Sequence, residues 1–129
     1  MDIRLSLAIA ISAGVAVGAA AVAGLHAQAK PPAYVVVAIQ SVKDADAFKA
    51  GVLEKASPAR LAAAGGRYVV RTQDITSLEG PSPQRFVVIA FDNIEKAKAW
   101  HDSPATKEIT AARMKTTESL SFLVEGVAE

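Results

Sequence analysis

Two runs in this chain are apolar on both faces of a β-strand, and few small folds can accommodate that. Tyr34-Val35-Val36-Val37-Ala38-Ile39 is rich in β-branched residues, bounded by Pro32 and the polar pair Gln40-Ser41, and reads as a strand. Alternation sets Tyr34, Val36 and Ala38 on one side and Val35, Val37 and Ile39 on the other. Arg85 to Phe91 repeats the pattern, with Phe86, Val88 and Ala90 opposed to Val87, Ile89 and Phe91. A strand with one wet face alternates to polar residues. These do not, so both faces need cover.

The elements around these strands follow from local signals. Asp44 suits a helix N-cap, with Asp46 in the first turn and Phe48, Val52 and Leu53 at helical spacing. Ser57-Pro58 restarts the helix, which continues from Arg60 to Ala64 and stops at Gly65-Gly66. A second strand spans Arg67–Arg71, with room to extend past Asp74 towards Leu78, and Gly80-Pro81-Ser82-Pro83 is the clearest turn. After the third strand, Asp92-Asn93 caps a helix carrying Ile94, Ala97 and Trp100. Ser103-Pro104 opens another helix through about Met114, and Leu120 to Val124 forms the last strand. The order βαββαβ predicts an α+β, ferredoxin-like sandwich.

Helices in such a sandwich cover one face of the sheet only. A large apolar face left in water is unusual for a monomer, so a homodimer with facing sheets and a central cavity is expected. The alternative is that the long connection Thr72–Gln84 folds over the open face.

At 129 residues the chain fits one domain, and it has no cysteine to staple it. Its 14 Lys and Arg against 13 Asp and Glu supply no concentrated basic face for nucleic acid. Arg85–Phe91 faintly evokes an RNA-recognition strand but lacks that motif's glycine. Without cysteine, thiol chemistry and thiolate metal sites are excluded. His101 is the only histidine after residue 29, which excludes a multi-histidine metal centre within one domain. No glycine-rich phosphate loop opens a helix, and no Gly-x-Ser-x-Gly elbow is present. No cofactor is implied.

The N-terminus carries an address. Arg4 precedes an uncharged run from Leu5 to Leu25, and Ala27-Gln28-Ala29 follows. Charge, apolar stretch and small-x-small site in that order describe a secretory signal peptide over residues 1–29. The run is also long enough for a membrane anchor over residues 5–25, and Gly14 and Gly18 have a helix-pairing spacing. Its alanine and glycine content makes it a weak inserter, which favours cleavage. Residues 30–33 then form a spacer, and residues 34–127 the domain. Either alternative places that domain outside the cytoplasm, periplasmic or secreted. The membrane is a partner only if the leader stays uncut.

Several segments together resemble a known family. They are Ala33–Val37, Gly65-Gly66-Arg67-Tyr68-Val69-Val70-Arg71, Leu78-Glu79-Gly80, Arg85–Phe91, Ala99-Trp100-His101-Asp102-Ser103-Pro104 and Leu123-Val124-Glu125-Gly126-Val127. In this order they look like the domain-of-unknown-function 1330 family of the dimeric α/β-barrel superfamily, from Ala33 to about Val127. The resemblance implies a ferredoxin-like protomer and a homodimer, and it supplies no activity. Relatives in the superfamily include cofactor-independent monooxygenases, chlorite-dismutase-like haem proteins and small-molecule-binding domains. The chain departs from the family pattern at Thr72-Gln73, where Gly-Gly is usual, and at Thr106, where Tyr is common.

Arg71 and Arg85 bound otherwise apolar strands, where a guanidinium can clamp a carboxylate or instead pair with Glu79 or Glu125 at the rim. Trp100 and His101 end a helix; they can line a ligand site, or fill the core and satisfy the helix terminus. Tyr34 and Tyr68 can supply hydroxyls to an apolar cavity or simply pack on the sheet. For proton transfer the candidates are His101 and Glu79. Three functions stay open: a homodimeric binder of a small apolar or anionic ligand, a cofactor-independent monooxygenase-like enzyme, and a non-catalytic structural or interaction module.

Overall fold

A computed structural model of the chain describes residues 30–128. The leader and its cleavage site lie outside the described residues. Strand β1 (Ala33–Val42) leads to a short helix α1 (Ala45–Phe48), which passes directly into a π-helical turn (Lys49–Leu53). Helix α2 (Pro58–Ala63), strands β2 (Gly66–Thr72) and β3 (Arg85–Phe91), helices α3 (Ile94–Asp102) and α4 (Pro104–Thr116) and strand β4 (Thr117–Glu125) follow. The strands form one antiparallel sheet in the order β2-β3-β1-β4. This is the ferredoxin-like α+β arrangement. Among the described residues no helix is long and apolar enough to cross a membrane.

Side chains start the helices where the sequence placed their caps. Asp44 Oδ1 accepts from Ala47 N–H at 3.1 Å, Ser57 Oγ from Arg60 N–H at 3.2 Å, and Asn93 Oδ1 from Lys96 N–H at 3.0 Å. Each satisfies a backbone donor that the first helical turn leaves free. Ser103 works in both directions: its hydroxyl donates to Trp100 O at 2.7 Å and accepts from Thr106 N–H at 3.4 Å. One residue therefore ends α3 and begins α4.

The chain leaves α2 through Gly65, whose φ of 86° suits a residue without a Cβ. At Gly66 the reason for glycine is space: a Cβ there would lie 2.8 Å from Leu61 Cδ1 and the Phe91 ring. Strand β2 stops at Thr72 and does not run on towards Leu78. Thr72 Oγ1 accepts from Asp74 N–H at 2.9 Å, a local turn that competes with the ladder.

Register decides the faces. Val35, Val37 and Ile39 pair with Ile89, Val87 and Arg85 on one side and with Leu123, Ser121 and Ser119 on the other. This face lies under the helices. One buried cluster joins Ala33, Val35, Ile89 and Phe91 to Leu61 and Ala97, and another joins Ile39 to Phe48 and Val52. On the reverse face Tyr34, Val36 and Ala38 stand beside Val124, Phe122 and Leu120 of β4, and Val88 beside Val36. That face is open. Leu120, Phe122 and Val124 keep 55%, 51% and 45% of their surface exposed, so the connection after Thr72 does not cover the β4 side of it.

Candidate ligand-binding cavity

A cavity of about 620 Å³ lies between the helices and the covered face of the sheet. This space lies on the helix-covered side of the sheet, a different place from the central cavity expected between facing sheets. Val35, Val37, Ile39, Val87 and Ile89 make an apolar floor, and Phe48, Val52, Leu61 and Trp100 wall it from the helices. Trp100 also packs on Phe91, ring centroids 5.3 Å apart and tilted by 42°.

Polar groups gather at the margins. Arg71 reaches β2's covered face through a β-bulge. Tyr68 pairs with Ile89, Val70 with Val88 and Arg71 with Val87, so Val69 is the extra residue and Tyr68 and Arg71 share a face. The Arg71 guanidinium lies over the Tyr68 ring, 4.6 Å from its centroid. The half-buried Tyr68 hydroxyl donates to Ala56 O at 2.8 Å. Burial raises its pKa, and the nearby Arg71 charge only partly offsets this. Arg85 sits 5.3 Å over the Phe48 ring. With its amide oxygen turned towards that guanidinium, Gln73 accepts from Nη1 at 3.1 Å and Nη2 at 3.3 Å. Neither arginine pairs with Glu79 or Glu125. Both are positioned by aromatic faces, and among the described residues neither pairs with a carboxylate.

Helix α4 contributes the side that sequence reasoning missed. Thr106, Ile109, Thr110 and Arg113 recur at helical spacing and all line the cavity. Arg113 Nη1 donates to Ser119 Oγ at 2.6 Å, and partial burial holds its pKa below the usual arginine value. The signal was present: Ile109 and Ala112 pack on Phe48's cluster, and Arg113 is four and one residues beyond them. At the outer wall Lys55 donates to Glu108 at 2.7 Å. That hydrogen bond holds the exposed Glu108 carboxyl below the usual range. The lining thus carries Lys55, Arg60, Arg71, Arg85 and Arg113 against one carboxylate, Glu108.

Of the residues singled out from the sequence, Arg71, Arg85, Tyr68, Trp100 and His101 all line this cavity. Tyr34 does not. It belongs to the open face opposite Val124, close enough to Gly126 that a Cβ there would lie 2.7 Å from its ring. Glu79 is exposed in the β2–β3 connection, away from the cavity lining. Thr106 is buried, and its hydroxyl lies 3.0 Å from Ser103 Oγ.

The family described as domain of unknown function (DUF1330) matches residues 19–127. The chain belongs to the DUF1330 family. No curated protein matches this DUF1330 chain. It is similar in fold to a protein of unknown function from Rhodopseudomonas palustris, with 14% identity, 83% of this chain and 92% of that one covered, and a TM-score of 0.58. It is also similar to a candidate antibiotic biosynthesis monooxygenase from Caulobacter crescentus, at 16% identity, 81% and 97% coverage and a TM-score of 0.53. A second candidate antibiotic biosynthesis monooxygenase, from Nitrosomonas europaea, gives 17% identity, 78% and 93% coverage and a TM-score of 0.51. At these identities the likeness concerns the fold.

Proposed function

We propose that this DUF1330 protein is an exported homodimer that binds an apolar small molecule bearing an anionic group. The observation that carries the reading is the charge imbalance around the cavity. Its floor is apolar, and five cationic side chains share one carboxylate. A guanidinium partly removed from water and stacked on an aromatic ring keeps its N–H edge for an anion, and carboxylates fit that edge bidentately. Apolar walls with a few convergent polar groups are the general form of small-molecule sites.

The homodimer is supported by the open face, where Leu120, Phe122 and Val124 lie half exposed beside Val36 and Val88. A second copy is the occupant whose matching surface is assured. Export rests on the leader read from the sequence. Native mass spectrometry of the protein taken from its exported fraction tests all three parts. The expected species begins at Lys30, has twice the protomer mass and carries extra mass. A ligand-free protein that also binds no hydrophobic dye would leave the structural-module reading instead. The monooxygenase-like reading comes second. Of the two residues considered for proton transfer, only His101 stands at the cavity.

A further inference from the structure

The cavity has two cationic ends, and the sheet beneath it sets their separation. One row of paired residues crosses all four strands as Arg71, Val87, Val37 and Ser121. The next runs Arg85, Ile39 and Ser119. Adjacent strands lie about 4.8 Å apart. Arg71 and Ser121 are therefore about 14 Å apart at the backbone, and Arg85 and Ser119 about 10 Å. Between them Val37, Ile39 and Val87 offer nothing to a polar group.

Arg113 belongs to the far end. It is half-buried, its Nη1 donates to Ser119 Oγ, and among the described residues no carboxylate pairs with it. Glu108 is engaged by Lys55. A cation held partly out of water without a counter-ion is costly unless something anionic comes to it. Arg71 and Arg85 stand on β2 and β3 and Arg113 beside β4, with the apolar β1 row between them, so the floor suits an anion at each end and apolar ligand over the middle.

We propose that the ligand is two-headed: an elongated molecule with an apolar middle and an anionic group at each end. One anion is held by Arg71 and Arg85 and the other by Arg113 beside Ser119. This rests on the cavity reading above and adds the second head, with Arg113 as the residue that selects for it.

Trp100, the chain's single tryptophan, lines the cavity and reports occupancy by its fluorescence. The full-length protein is titrated with α,ω-dicarboxylates from hexanedioate to dodecanedioate, each beside the monocarboxylate of equal length. A dicarboxylate of matching length should bind at least about tenfold tighter than its monocarboxylate, the gain of one charge-assisted contact. Arg113→Met should remove that advantage, weakening the matching dicarboxylate by about tenfold more than its monocarboxylate. Monocarboxylates binding as tightly as every dicarboxylate would overturn the second head while leaving the cavity reading intact. So would an Arg113→Met loss that is equal for both classes. If neither class binds, the cavity reading falls and the inference with it. The comparison in the unmodified protein decides the matter even if Arg113→Met folds poorly.

Discussion

Tyr68 shows how much one residue can connect. Its ring carries Arg71, its edge lines the cavity, and its hydroxyl ties β2 to Ala56, just before α2. Burial raises its pKa above the ordinary 10.0, so the folded chain keeps the phenol proton to higher pH than the unfolded chain does. The associated stability is complete below pH 10.0 and is lost as pH rises through the raised value. Urea unfolding followed from neutral to alkaline pH should show this decline, and Tyr68→Phe should flatten it. At neutral pH the same variant should lose about 1 kcal/mol, the net worth of the hydroxyl's hydrogen bond. An unchanged alkaline slope would show that another group causes the decline. At this scale the sequence told more than was taken from it. Tyr34 shares parity with Val36 and Ala38, but two apolar faces cannot announce which one the helices will choose. Arg113 sits at helical spacing from Ile109, but a charged residue at that spacing does not by itself mark a cavity wall.

Among elements, the joints were the most legible part. Asp44, Ser57, Asn93 and Ser103 all cap where residue type indicated, because capping depends on one side chain and the backbone beside it. Ser103 has the most at stake, since α3 ends and α4 begins on its hydroxyl. Ser103→Ala should cost about 1–2 kcal/mol in urea denaturation, against about 1 kcal/mol for Ser57→Ala, which loses a single cap contact. Equal losses would mean that Ser103 does not couple the two helices. The π-helical turn after Phe48 and the bulges near Val69 and Gln40 were not legible. Such one-residue irregularities are selected by the partner strand and the packing above it, and a run of valines looks the same with or without one.

At the scale of the whole molecule, fold class was readable because β1 and β3 are β-branched apolar runs bounded by turn residues and separated by capped helices. The cavity's side was not, since it depends on where helices leave a gap. The open face makes its own prediction. Phe122 stands half exposed opposite Val36, midway along the edge strand β4. Phe122→Glu should weaken self-association by more than about 3 kcal/mol, over a hundredfold in Kd, without unfolding the protomer. Sedimentation velocity would read this directly, and an undiminished dimer would place the interface elsewhere. Strand β2 brings both faces into one frame. Val69 is a single residue inserted between Tyr68 and Val70. Deleting one residue of that valine pair would remove the bulge and leave Arg71 beside Tyr68, since plain alternation also sets residues two apart on one face. Keeping both valines and losing the bulge would instead turn the Arg71 side chain to the reverse of the sheet. The cavity would lose a cation, and the apolar face would acquire one. Descendants of this chain can therefore change the length of β2 and its bulge only together.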